Sequence, residues 1–254
     1  MPRDDPRLLT GPAVVTGASE GLGRALSVAL TRRGVPVTGF GRRTDALAET
    51  ARLAGPLFTP MTVDVSDTAA AGTAIQQIAP VLLINNAAVY PRRDILDETA
   101  DSFLHSVAVN LGGVVACTRA ALDGMVATGF GRIMTVSTFA DIAPLPASAA
   151  YATSKGAVRI FNRALVADLG DRFPDIVIND WMPGMLATRM GIPDGLDPAI
   201  SAEWGAELAL WHDPGLTGTI FEQDRELPPP RSLKRRVKDR LLLRKPPPPR
   251  QLIS

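Results

Sequence analysis

Two side chains four residues apart, Tyr151 and Lys155, are the pair in this sequence best suited to moving a proton. On a helix that spacing puts both on one face, one turn apart. An ammonium beside a phenol favours the phenolate and lowers the tyrosine pKa from about 10. A phenol adjusted in this way can serve as acid or base near neutral pH. The spacing alone says little, because the same pair occurs on solvated helix surfaces. Its setting says more: the stretch Arg132 to Lys155 opens as an apolar strand (Ile133 to Val136), breaks at Pro144 and Pro146, then enters a helix.

The positioning elements are readable on either side. Thr16 to Gly23 (TGASEGLG) follows an apolar run, Pro12 to Thr16, and opens a helical pattern that reaches Arg33. Glycines there serve a tight turn, a close backbone approach to a pyrophosphate and close helix–sheet packing. The helix N-terminus then favours phosphate charge. Such a turn can also be purely structural.

Further strands are predicted at Val35 to Phe40, Leu57 to Val63, Val81 to Ile84, Ile133 to Ser137, Ile176 to Asp180 and near Thr219 to Phe221. Helical stretches separate them: Thr44 to Leu53, Thr68 to Ile78, Glu98 to Thr128, Ala150 to Leu169 and Ser201 to Trp211. Near-continuous apolar strands alternating with helices predict an α/β fold, a doubly wound, Rossmann-like parallel sheet. Ligands of such sheets bind at the strand carboxyl ends, where every polar motif of this chain falls. One domain is predicted over 1–224, followed by a basic, proline-rich tail over 225–254.

With these elements in order, residues 10 to 222 resemble the short-chain dehydrogenase/reductase family in its single-domain form. The matching residues are the turn Thr16 to Gly23, Asp64–Val65, Asn85–Asn86–Ala87–Ala88, Asn110, the Tyr151/Lys155 pair, and Pro183–Gly184 with Thr188. The resemblance implies a nicotinamide cofactor held by Gly17, Ser19, Glu20, Gly21, Leu22, Gly23, Asp64, Val65, Asn86, Ala87, Ala88, Pro183, Gly184, Leu186 and Thr188. Tyr151 and Lys155 would also touch it. The same resemblance implies that Tyr151 passes the proton, Lys155 tunes the phenol and holds the nicotinamide ribose, and Asn110 anchors a relay water.

One departure is a threonine, Thr138, thirteen residues before Tyr151, where the family carries its catalytic serine. Its hydroxyl has the donor and acceptor capacity of serine, with an added methyl that restricts χ1. Thr138 is read as the working substitute. The competing alignment uses Ser137, which strand alternation points to the other face; in a third, the role has been lost. Ala88, replacing the family's glycine, is a milder departure.

Cofactor choice is read at the end of the second strand, where Gly41, Arg42 and Arg43 stand in place of the acid typical of NAD binders. Arg42 can pair bidentately with a 2′-phosphate, which favours NADP(H) over NAD(H). Glu20 in the glycine turn counts the other way, and both arginines could simply be solvated.

On the substrate side only MGIPDGLDPAI lies between Thr188 and the next helix, a short lid that predicts an open cleft for a bulky substrate. Pro144, Leu145, Pro146, Met185, Leu186 and Met190 would form its apolar walls. Trp204 and Trp211 are read as core or subunit interface. The resulting function is interconversion of a carbonyl and a secondary alcohol, in the direction of reduction. The alternatives are an epimerase, dehydratase or cyclase without net redox, and a nucleotide-sensing binding protein.

Composition bounds these readings. The chain has 254 residues, one cysteine and a formal net charge of +1. Charge is uneven: residues 225–254 carry ten basic and two acidic side chains, leaving 17 basic and 24 acidic in the rest. A lone Cys117 excludes a disulfide framework and fits a reducing, cytoplasmic setting. The two histidines, His105 and His212, stand apart, so no metal site is predicted. No signal peptide or run long enough to span a membrane is read, and no nucleic-acid module accompanies the basic tail. Leu233, Val237 and Leu241 in that tail fit one basic amphipathic helix, either solvated, docked on a subunit, covering the cleft, or anchored to an acidic surface. The resemblance adds a homo-oligomer, dimer or tetramer.

Overall fold

The computed structural model describes residues 5–228 and 248–252. Seven strands run parallel: β1 (Ala13–Thr16), β2 (Val37–Gly41), β3 (Phe58–Thr62), β4 (Leu82–Asn85), β5 (Gly131–Val136), β6 (Ile176–Met182) and β7 (Ile220–Glu222). An eighth, β8 (Arg225–Leu227), pairs antiparallel with β7, and the order across the sheet is β3-β2-β1-β4-β5-β6-β7-β8. The strand order reverses between β1 and β4, the crevice where sheets of this kind bind their ligand.

Helices cover both faces: α1 (Pro6–Thr10), α2 (Gly21–Arg32), α3 (Thr44–Ala54), α4 (Thr68–Ile78), α5 (Ala100–Val107), α6 (Gly113–Thr128), α7 (Ala149–Leu169) and α8 (Pro198–Leu210). Every residue of β1, β4, β5 and β6 is buried, which is why those strands read as mostly apolar runs without a solvent-facing alternation. One core layer gathers Val15, Leu26, Met134 and Trp181; the other gathers Val14, Ile75, Ile133 and Ile178. β3 lies at the sheet edge, where its Pro60 removes no central ladder bond.

Helix starts follow local chemistry. The Asp67, Thr99 and Asp197 side chains accept from backbone N–H groups at the heads of α4, α5 and α8. The long helix predicted over Glu98 to Thr128 is divided by a π-helical turn, Ala108–Gly112. Taken together, Ala100–Thr128 is long and apolar enough to cross a bilayer, at mean hydropathy 1.2, which the sequence reading did not find. In this fold α6 is a core helix: it packs on α4, β4 and β5 and buries Val114, Cys117, Ala121 and Met125.

The sheet runs past the boundary expected at 224, because β8 begins at Arg225. Arg250 and Gln251 then return onto β8: Glu226 N donates to Arg250 O at 2.9 Å, Leu252 N donates to Asp224 O at 2.8 Å, and Leu252 is buried in the core. The predicted tail helix over Leu233, Val237 and Leu241 lies outside the described residues. Trp211 meets Phe221 edge-on and packs, with Trp204, against the core, as expected.

Candidate active site

The glycine turn sits at the carboxyl end of β1. Gly17 and Gly21 have φ of +70° and +53°, which L side chains rarely adopt. A Cβ at Gly23 would stand 2.1 Å from Gly17 O, and one at Gly17 would stand 2.9 Å from Ala87 Cα. A cradle that tolerates no side chain at either point fits a dinucleotide pyrophosphate, with Ser19, Glu20 and Leu22 around it.

Asn86 ties this turn to the end of β4. Its Nδ2 donates to Thr16 O at 2.8 Å, while the N–H groups of Asn86 and Ala87 both donate to Thr16 Oγ1 at 3.0 Å. Ala88 follows, partly exposed. Thr188 lies across the turn, its Cγ2 within 3.2 Å of where a Gly21 Cβ would be. Gly184 has φ +88°, and Ser201 Oγ donates to Pro183 O at 3.1 Å, holding the start of the lid on α8.

Asn110 occupies the π-turn. Its Oδ1 accepts from Val89 N at 2.7 Å, and its Nδ2 donates to Val89 O at 3.0 Å and Ser154 Oγ at 2.9 Å. One side chain thereby joins the β4 loop to α7, next to the tyrosine turn. A π-turn at a functional residue is a recurrent arrangement.

On α7, the Tyr151 phenol lies within the influence of the Thr138 hydroxyl, which acts to lower its pKa against the larger, raising effect of burial. Ser137 is buried, with its backbone N–H bonded to Trp181 O at 2.7 Å. Lys155 is buried and donates to Val136 O at 2.9 Å. Here the electrostatics differ from the spacing argument. Burial pushes the Tyr151 phenol above its usual value, partly offset by the Thr138 hydroxyl. Burial also brings Lys155 down to about 8, against the raising fields of Asp180 and Asp141. The ammonium is turned to the end of β5, where Val136 O accepts its hydrogen bond.

Beneath the Thr138 loop lies an ion pair invisible to motif reading. Arg159 Nε and Nη2 donate to Asp141 at 2.5 and 2.9 Å, and Nη2 also donates to Thr138 O at 2.7 Å. Both side chains are largely buried, 13% and 7% exposed.

At the adenine side, Arg42 is exposed, 3.9 Å from the Asp64 carboxylate, whose Oδ1 accepts from Ser66 N and Oγ. Arg43 is engaged by Glu20 at 2.7 Å. Glu20 also accepts from Arg189; burial would raise this carboxyl, but the two guanidinium groups hold it below its ordinary range. Val65 packs against Gly113 of α6.

The short lid is tied to the residues around it. Leu186 and Leu196 bridge, Arg189 bonds Glu20 on the glycine turn, and Arg92 donates to Met190 O at 2.8 Å and also to Gly191 O. Straps at both sides hold the short loop down. Leu186, expected at the cofactor and as an apolar wall, is buried and packs with the core. Leu145, Met185 and Met190 remain exposed apolar side chains. Arg92 also lies 5.3 Å over the ring of Tyr90, which in turn stacks on Tyr151. Sequence reading missed Tyr90, Arg92, Asp141, Arg159, Asp180 and Arg189; Tyr90, two residues beyond the Ala88 that closes the matched motif, had the most accessible signal.

Comparison with known proteins agrees with this geometry. Residues 12–197 match the profile of the short chain dehydrogenase family, to which the chain belongs. It is thereby placed among NAD(P)-dependent oxidoreductases of the carbonyl/alcohol type. It is 32% identical over 188 residues to L-xylulose reductase of Cavia porcellus, covering 73% of this chain and 76% of the relative. It is 33% identical over 192 residues to D-erythrulose reductase of Gallus gallus, covering 75% and 77%. Among solved structures, one described as an NAD(P)-dependent gluconate 5-dehydrogenase of Beutenbergia cavernae, with bound NADP, superposes at TM-score 0.76 and 25% identity over 84% of this chain and 95% of that one.

Proposed function

We propose that the protein is an NADP(H)-dependent reductase of ketones, with Tyr151 as general acid in reduction and general base in alcohol oxidation. The observation that carries this reading is the placement of Tyr151 on α7 with Lys155 one turn on, buried and donating to Val136 O at 2.9 Å, at the strand end beside a side-chain-free glycine cradle. The cradle residues, Asn86, Pro183 to Thr188, and Lys155 would hold the dinucleotide, which supplies the hydride when bound.

The chain's own side chains handle the oxygen and its proton. Tyr151 Oη gives its proton to the substrate oxygen as the carbonyl becomes an alcohol. The Thr138 hydroxyl donates to the same oxygen while negative charge develops there. A phenol held protonated by burial suits the reducing direction. Asn110 fixes the β4 loop against α7 and keeps the tyrosine turn in place.

The exposed Arg42 is the group available for a 2′-phosphate, since Arg43 is tied to Glu20. The pairing of Glu20 with two arginines also blunts its charge, the feature that counted against NADP(H). Two relatives named for ketose reduction support a ketone substrate, and one named for NADPH, a carbonyl reductase of Sus scrofa, supports the cofactor choice. Exposed Val115, Val126 and Ile160 on α6 and α7 support a homo-oligomer built on those helices.

The test is a panel of ketoses and simple ketones incubated with NADPH or NADH, followed by nicotinamide absorbance and product analysis. Consumption of NADPH in preference to NADH with at least one ketone is expected. Substrate conversion without nicotinamide turnover would replace this reading with an isomerising or dehydrating one.

A further inference from the structure

β6 is buried along its whole length, and alternate residues face opposite layers. Ile176 and Ile178 belong to one core cluster, so Asp180 continues that apolar face with a carboxylate. Asp180 is 5% exposed. In the ladder it stands opposite Thr135 of β5, which stands opposite Asn85 of β4. A strip of three buried polar side chains therefore crosses the middle of the sheet at its carboxyl end.

Helix α7 lies over this strip. Tyr151, Lys155, Val158 and Asn162 are spaced for one helix face, and Lys155, Val158 and Asn162 are buried. Asn162 Nδ2 donates to Asp180 Oδ1 at 2.7 Å. The Lys155 ammonium donates to Val136 O, the residue after the Thr135 that Asp180 opposes. A buried carboxylate and a buried ammonium thus share one corner of the site, within reach of each other's field.

We propose that Asp180 is a positioning residue of this active centre, a buried carboxylate on β6 that keeps Lys155 protonated. The inference rests on the Tyr151/Lys155 reading given above. A buried ammonium without a nearby anion gives up its proton, because desolvation penalises the charged form. Two other charges face the corner. Arg159 lowers the Asp180 pKa, and Asp141 raises that of Asp180 and Lys155. Asp141, however, is held by Arg159 at 2.5 Å, which leaves Asp180 as the larger anionic influence on Lys155. Burial raises Asp180 to about 6, against the lowering effects of Asn162, Arg159 and Lys155. Lys155 lies at about 8. Between those values both groups are charged, and each supports the charge of the other.

The experiment is the pH profile of kcat for ketone reduction at saturating NADPH, in wild type, Asp180→Asn and Asn162→Ala. Asp180→Asn keeps shape and hydrogen bonding but removes the anion. Its alkaline limb should move toward acid by about one pH unit or more, the usual effect of a close charge. Activity near pH 8 should fall about fivefold or more, while the two profiles converge below about pH 6, where the wild-type carboxyl is itself protonated. Asn162→Ala removes the hydrogen bond to Asp180 but leaves the anion at pH 8, so its alkaline limb should stay near that of wild type. An alkaline limb of Asp180→Asn superposable on wild type overturns the proposal, as does one of Asp180→Ser if Asp180→Asn does not fold; an Asn162→Ala limb shifted as far as that of Asp180→Asn would assign the effect to packing rather than charge and overturn it too. Full activity of Tyr151→Phe and Lys155→Ala would instead overturn the underlying reading of the site.

Discussion

Tyr90 lies flat on Tyr151, with ring centroids 4.5 Å apart and planes 14° from parallel. One ring face of the Tyr151 phenol is therefore covered by a residue of the β4 loop. Arg92, stacked over Tyr90 and bonded to the lid carbonyls, extends the pile to the rim of the site. An aromatic pair of this kind contributes roughly 0.5–1.5 kcal/mol beyond its buried area. Tyr90→Phe should keep kcat/KM within about twofold of wild type. Tyr90→Ala should lower it by about three- to tenfold and broaden acceptance of larger ketones. Steady-state kinetics on a size-graded ketone series checks this; equal losses in both variants would show that the hydroxyl, not the stacked ring, matters.

The Thr138 hydroxyl accepts from Ala140 N at 3.1 Å, which orients the side chain, and it acts to lower the Tyr151 pKa against the raising effect of burial. Loss of one preorganised donor at a developing oxyanion costs on the order of a hundredfold in kcat. Thr138→Val should show that loss with NADPH affinity retained, whereas Thr138→Ser should stay within a few fold. Stopped-flow hydride transfer with NADPH titration separates the two effects. Loss of activity in Ser137→Ala but not in Thr138→Val would transfer the role to the neighbouring residue.

The Arg159–Asp141 pair is buried, and its guanidinium also holds Thr138 O. Removing one partner leaves an uncompensated buried charge, a loss of about 3–5 kcal/mol. Asp141→Ala should lower stability by that amount in denaturant unfolding and reduce kcat through a displaced Thr138 loop. The double variant Asp141→Ala/Arg159→Leu should recover much of the stability without the activity. Recovery of both would mean that the pair does not position the loop.

Arg42 stands exposed at the end of β2, with Asp64 at 3.9 Å as its nearest ionic neighbour. A charge-assisted hydrogen bond to a 2′-phosphate is worth about 1.5–3 kcal/mol. Arg42→Ala should raise KM for NADPH by about ten- to a hundredfold and leave KM for NADH nearly unchanged. Equal changes for both cofactors would assign Arg42 to adenine stacking or to the surface.

The fold was legible because burial on both faces makes the central strands mostly apolar runs, and because Gly17, Gly21 and Gly184 mark turns that need unusual backbone angles. The elements that carry the candidate site were legible through spacing: Thr138, Tyr151 and Lys155 belong to one strand–loop–helix unit, and the π-turn falls at Asn110. What remained hidden depends on contacts distant in sequence. Arg92 meets the lid 98 residues away, and Arg189 meets Glu20 169 residues away, so no local pattern announces the straps that hold the lid down. The direction of the Tyr151 shift was hidden for a related reason. Spacing places an ammonium one turn from the phenol, but burial and the pull of Val136 O decide where that ammonium points.

The central claim is tested most directly by Tyr151→Phe, assayed for NADPH oxidation with the best ketone of the panel while NADPH binding is followed by fluorescence. The account predicts a loss of about a hundredfold or more in kcat with binding unchanged, the usual contribution of a positioned general acid. A Tyr151→Phe enzyme that reduces the ketone at the wild-type rate would contradict it.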